Sequence, residues 1–240
     1  MPSTKNSQYS NIKLSVFFPA FNEELNIKNT VEKAVKVIKG LEIRDWEILI
    51  INDGSRDKTA EIADQLSKKD SRIKVIYQEN GGYGKALRSG FDRAKYDWVV
   101  FTDSDGQFDF SEVNKFLDKT AEIDYIIGYR MKRADNLFRL LAGKVWALSV
   151  FFLFGIWVKD IDCGFRMIRK SVLEKISKLE STRGAMINAE ILIKVKKKGF
   201  KITQIGVHHY PRVGGVPTGV RLNVIIKSYF ELFKLWWKLR

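Results

Sequence analysis

Apolar and polar positions alternate in blocks through the first half of the chain. The runs at 14–18, 47–51, 74–77 and 98–102 are short, rich in Val, Ile and aromatic residues, and predict strands. Between them, 24–39, 58–68 and 85–94 carry apolar residues at helical spacing. Strand and helix alternating in this way build βαβ units, so the predicted class is α/β with a mainly parallel sheet flanked by helices. Sheets of this kind bind ligands at the carboxyl ends of their strands. The polar clusters fall there: Asn22-Glu23 after the first run, Asn52-Asp53-Gly54-Ser55 after the second, Asp103-Ser104-Asp105 after the fourth. One site is expected where they meet.

The second half reads differently. Residues 136–158 are apolar and aromatic, with Lys132, Arg133, Arg139 and Lys144 at the start. A strand near 164–168, a helix near 189–198 and a strand at 201–207 follow, then a Gly/Pro-rich loop at 208–219. In 220–240, Lys227, Glu231, Lys234 and Lys238 share one helical face, and Val224, Ile225, Tyr229, Phe230, Phe233, Trp236 and Trp237 fill the others. Such a helix suits a bilayer interface or the protein's own core. The expected organisation is an extended or disordered 1–12, one domain over 13–219 that includes an interfacial helix at 136–158, and an amphipathic helix at 220–240.

Composition narrows the partners. Forty-two Lys and Arg against 28 Asp and Glu leave +14, which favours nucleic acid, phosphorylated ligands or an acidic bilayer. No nucleic-acid-binding motif is present and the basic residues gather near the aromatic helices, so nucleic acid is not expected. The longest uncharged stretch, 145–158, is shorter than the roughly 20 residues that cross a bilayer. Cys163 is the sole cysteine, which precludes an intrachain disulfide and fits a reducing compartment. The first residues lack the apolar core of a secretory signal. A cytoplasmic protein peripherally associated with a membrane is the expectation.

The chemistry centres on Asp103-Ser104-Asp105. Two carboxylates one residue apart, leaving a strand, can turn oxygens toward one hard cation, Mg²⁺ or Mn²⁺, with Gln107 adding a neutral oxygen; the same residues also form ordinary turns. Asp53 can accept hydrogen bonds from a base or ribose, while Asp57 either joins it or, the favoured reading, caps the next helix. Gly81-Gly82-Tyr83-Gly84-Lys85 is either a phosphate-cradling loop or a tight turn, and lacks the Walker spacing. His208 and His209, adjacent on a strand, face opposite ways and do not chelate together.

The segments 18–24 (FPAFNEE), 52–59 (NDGSRDKT) and 103–107 (DSDGQ) resemble family 2 glycosyltransferases of the GT-A fold. Gly128-Tyr129-Arg130, 160–166 (DIDCGFR) and 212–215 (RVGG) resemble their dolichol-phosphate mannose synthase branch, a polyprenyl-phosphate glycosyltransferase type. The resemblance runs over about 14–220. It implies a hexosyltransferase that moves sugar from a UDP- or GDP-linked donor to a polyprenyl phosphate or other lipid acceptor, with inversion. Pro19, Ala20, Asn22, Glu23, Asp53, Gly82, Lys85, Asp103 and Ser104 would contact the nucleotide sugar. Asp103, Asp105 and Gln107 would hold the metal. Arg130 and Arg212, with Arg139 a weaker candidate, would grip the acceptor phosphate or donor diphosphate, Arg212 from a loop closing over the site. Asp105, Arg130 and Arg212 would thus carry catalysis.

A phosphate acceptor is already ionised and requires no strong base, whereas a hydroxyl acceptor would need Asp160 or Asp162. The segments 160–164 and 215–218 depart from the mannose synthase pattern on the acceptor side, so sugar and lipid stay open. So do transfer to another lipid or glycan hydroxyl, a non-catalytic nucleotide-sugar adaptor, and the choice between an anionic membrane surface and a membrane-anchoring subunit.

Overall fold

The computed structural model describes residues 8–131, 137–182, 184–212, 214 and 222–240, the side chains of 137–140, 185 and 222–225 excepted. Strands and helices alternate first: β1 (Lys13–Ala20), α1 (Ile27–Gly40), β2 (Asp45–Asp53), α2 (Thr59–Lys69), β3 (Ile73–Gln78), α3 (Tyr83–Arg93) and β4 (Trp98–Phe101). Then come α4 (Val113–Leu117), β5 (Tyr125–Arg130), α5 (Leu137–Phe154), β6 (Arg166–Arg169), α6 (Lys170–Lys175), α7 (Gly184–Lys197), β7 (Ile202–Val207) and α8 (Leu222–Leu239).

Among the described residues the strands form one sheet, ordered β3-β2-β1-β4-β6-β5-β7. Only β6 runs against its neighbours, β4 and β5; the other pairs are parallel, as the periodicity predicts. The other six strands therefore end at one edge of the sheet, and the turn entering β6 lies at that edge too.

Both faces of the sheet are covered, which is why β1 and β2 are nearly continuous apolar runs. Alternate residues go to opposite layers. Leu14, Val16 and Phe18 join α1 and α2, whereas Phe17 joins α3, α5, α7 and α8. α1 buries Ile27, Val31, Ala34 and Ile38, the helical period seen in the sequence.

Two elements escape that pattern. β5 is not among the predicted strands because Gly128 interrupts its short apolar run, and pairing with β6 and β7 defines it. α7 begins at Gly184, not near 189, because Met186, Ile187, Ala189, Ile191 and Leu192 are buried on every side and show no polar face. At the N-terminus, the described part of the expected extended segment forms a turn in which Gln8 and Tyr9 bond to Asp118.

α8 uses two faces. Ser228, Leu232 and Leu235 are buried, and Tyr229 meets Trp146 of α5 edge-on at 5.2 Å. Phe230, Phe233 and Trp237 stay exposed, as do Leu141, Val145, Leu148 and Phe152 of α5. No helix among the described residues is long and apolar enough to cross a membrane.

Candidate active site

The loops after β1 and β2 are laced together by their own polar side chains. Asn22, at φ 57°, accepts from the Arg56 amide, and its own amide donates to Ser55 Oγ. Asp57 accepts from Thr59 at the start of α2 and from the Glu24 amide, while Glu24 accepts from the Lys58 amide. Lys58 holds the N-cap position of α2, and Asp57 bonds to the first turn from the residue before it. Ser104 Oγ donates to the Pro19 carbonyl at 2.7 Å, binding the end of β4 to β1, and Ala20 pairs with Asn52. Asn22 and Ser104 place their side chains in this framework.

Asp53, 2% exposed, accepts from Gln78 Nε2 (2.6 Å) and from the amides of Gly81 (3.0 Å) and Gly82 (2.8 Å). Those amides are therefore given to Asp53 and not held out for a phosphate. Lys85 Nζ donates back to the Glu79 carbonyl. The glycine segment is a tight turn, and its purpose shows in Tyr83, whose hydroxyl donates to Asp103 Oδ1 at 2.8 Å. Behind it, the Gly84 amide donates to the Thr182 carbonyl, and a Cβ at Gly84 would lie 2.6 Å from that residue's carbonyl carbon.

The 177–182 segment is held by α7. Glu190 accepts from the Glu180 and Ser181 amides and from Lys194, which also donates to the Lys178 carbonyl. Burial opposes ionisation of Glu190, yet the bonds from Lys194 and the two amides outweigh it and hold its carboxyl below the usual range. A depressed folded value stabilises above the unfolded carboxylate range and is lost as pH falls through it. Glu190→Gln is therefore expected to lower the melting temperature at pH 7, with a gap that narrows as pH drops below about 4. Parallel melting curves at both pH values check this.

Asp103 and Asp105 leave β4 toward Glu23. Asp103 is half-buried. Burial first, then the charge of Asp105, pushes its carboxyl up to about 7, against the Tyr83 hydrogen bond and the positive charge of Arg130. Glu23 is also raised, chiefly by burial, against hydrogen bonds from Asn26 and Arg212. Asp103 is closely seated: a Cβ on Gly164 would fall 2.3 Å from its Oδ2. Gly164→Ala is expected to displace Asp103, costing about 1–3 kcal/mol of stability and most divalent-ion binding. Calorimetric titration with Mn²⁺ beside a thermal melt checks both.

Arg130, at the end of β5, is locked to Asp160 by its guanidinium, Nε–Oδ2 at 2.6 Å and Nη2–Oδ1 at 2.9 Å, and by its backbone amide, with both side chains nearly buried. Arg212 follows β7. Its Nη2 meets Glu23 Oε1 at 2.5 Å and its Nη1 meets Asp105 Oδ2 at 3.3 Å. Gln107 turns its amide nitrogen to the Tyr210 carbonyl at 2.8 Å, clasping the approach to Arg212. Arg139 lies outside the described side chains. His208 bonds to Glu112, and His209 packs on Phe108.

The donor set fits a divalent ion. Asp103 and Asp105 offer hard oxygens in a place overfull of negative charge, as Mg²⁺ or Mn²⁺ requires. Among the described residues no third His, Cys, Asp or Glu completes an all-protein cage. Mg²⁺ characteristically takes one or two carboxylates and completes its shell with phosphates and water.

Two contributors lie outside the sequence-derived set. Tyr83 was hidden by the glycines beside it. Arg166 is wholly buried, donating to Tyr125 Oη, to the carbonyls of Cys163 and Asn188, and to that of Ile161, and so shapes the 160–164 turn. An arginine inside an apolar strand is the signal that could have found it.

Known proteins share this fold and align with most of this sequence. The chain is 27% identical to a dolichyl-phosphate beta-glucosyltransferase of Saccharomyces cerevisiae, over 82% of this chain and 66% of that one. It is 29% identical to an undecaprenyl-phosphate 4-deoxy-4-formamido-L-arabinose transferase of Salmonella choleraesuis, over 85% and 61%. It thus spans just under two thirds of the length of these relatives. Glucosyl-3-phosphoglycerate synthase of Mycobacterium tuberculosis, solved with Mn²⁺, UDP and glucosyl-3-phosphoglycerate, superposes with a TM-score of 0.70 at 20% identity, covering 94% of this chain and 80% of that one. The model of glycosyl transferase family 2 matches residues 15–177, more than half of the chain, and with the GT-A fold around that match the protein belongs to glycosyltransferase family 2.

Proposed function

We propose that the protein moves a sugar from a UDP- or GDP-linked donor to a polyprenyl phosphate of the dolichyl type, with inversion, at the cytoplasmic face of a membrane. The observation that carries this reading is the meeting of Asp103, Asp105 and Glu23 with Arg130 and Arg212 at one edge of the sheet. A bound Mg²⁺ or Mn²⁺ would supply charge neutralisation for the departing diphosphate. Asp103 and Asp105 would hold it, Asp103 oriented by Tyr83 and confined by Gly164. Arg130, kept rigid by Asp160, presents fixed positive charge to an anionic acceptor.

The engagement of Asp160 removes one of the two candidate bases, Asp160 and Asp162, that a hydroxyl acceptor would need, and so supports phosphate as the acceptor. A carboxylate committed to a bidentate arginine pair is a poor general base, and a lipid phosphate needs none. Its oxygen attacks the anomeric carbon from the side opposite the diphosphate, so alignment and charge carry the rate. The relatives that act on dolichyl and undecaprenyl phosphates support the same acceptor class. A panel of radiolabelled UDP- and GDP-sugars, incubated with polyprenyl phosphate in membranes, should yield a labelled lipid. Donor binding that ignores divalent ions and gives no product would instead identify a nucleotide-sugar adaptor.

The exposed aromatic stripe supports the membrane location. Phe230 and Trp237 of α8 are 72% and 76% exposed, with Lys227, Lys234 and Lys238 on the same helix, and Phe152 of α5 is 79% exposed. Phe230→Ser with Trp237→Ser is expected to weaken binding to phosphatidylserine vesicles at least about ten-fold, read by flotation.

A further inference from the structure

We infer that Arg212 is a built-in counter-cation of the donor site, spanning Glu23 and Asp105 until a divalent ion and a nucleoside diphosphate displace it together. The inference rests on the metal reading above and adds to it an order of events.

Arg212 forks across two acids that come from different strands, Glu23 after β1 and Asp105 after β4. All three side chains are shielded, at 18%, 10% and 12% exposed, so solvent screens the contacts only weakly. The fork is braced. Nε donates to the Gly214 carbonyl at 2.6 Å, Asn26 Nδ2 donates to the same carbonyl and to Glu23 Oε2, and the Gln107–Tyr210 clasp holds the preceding residues. Arg130 is paired with Asp160, whereas Arg212 bonds to Asp105, one of the two carboxylates of the proposed metal site.

A guanidinium and a divalent ion compete for Asp105. The ion alone must separate Arg212 from Asp105 and leave its positive charge beside a second one. A diphosphate arriving with the ion offers Arg212 a new anionic partner, so both positive charges are then satisfied. Metal and nucleotide should therefore strengthen each other's binding, and Arg212 is the residue through which part of that coupling runs.

The test uses Mn²⁺ alone, titrated into the whole chain and followed by the electron paramagnetic resonance of free Mn²⁺, then repeated with UDP and with GDP. Arg212→Gln is expected to bind Mn²⁺ alone about ten-fold more tightly than wild type, and the factor by which nucleotide tightens Mn²⁺ binding should shrink. Arg212→Lys, which keeps the charge but cannot fork across both acids, should fall between them and shows that the fold survives substitution. Equal Mn²⁺ affinity in wild type and Arg212→Gln overturns the inference while leaving the metal site standing. Absence of Mn²⁺ binding in all three proteins, with either nucleotide present, overturns the metal reading and this inference with it.

Discussion

Asp105→Ala is expected to lower kcat/KM for sugar transfer by about a thousand-fold, near 4 kcal/mol of transition-state stabilisation. The loss arises because the diphosphate departs with charge that Asp105 helps a cation to neutralise. Folding should hardly suffer. Asp105 accepts the Gln107 amide at 3.1 Å and one Arg212 contact, but its charge also pushes up Asp103 and Glu23. Its removal relieves that crowding. Initial rates at saturating Mn²⁺, measured beside a thermal melt, separate the two effects. A variant that melts like wild type and keeps more than about a tenth of its rate would contradict the metal role, because loss of a transition-state charge contact should cost more than ten-fold.

The second large effect falls on Asp160. Asp160→Asn turns an amide NH₂ toward the donors of Arg130 and leaves a buried guanidinium short of its counter-charge. Breaking such a pair from one side costs about 3 kcal/mol or more, roughly 10 °C of melting temperature for a domain of this size. Transfer should collapse as well, since Arg130 loses its fixed direction. Arg130→Met combined with Asp160→Leu is the informative partner. A well-packed apolar pair commonly matches or exceeds a buried ion pair in stability, so the double variant should regain most of the melt while staying inactive. If Asp160→Asn melts as wild type does, the pair is more hydrated than its burial implies.

Much of the architecture was legible because it depends on local periodicity. The four apolar runs before the middle of the chain, and the helical spacing between them, require a parallel sheet whose carboxyl edge gathers Glu23, Asp53, Asp103 and Asp105. β5 and the first turn of α7 were not legible. A short strand broken by Gly128 and a helix buried all round carry no solvent-facing phase, and only their neighbours define them.

Residue type and order along the chain therefore determined the fold class, the edge that holds the site and the oxygen-rich chemistry found there. Tertiary structure decided the partners: Tyr83 on Asp103, Asp53 on the Gly81-Gly82 turn, Asp160 on Arg130, Arg212 across Glu23 and Asp105, and α8 burying one apolar face while exposing another. A side chain's type states what it can bond. Which group it meets depends on distance between residues far apart in the chain, and folding sets that distance.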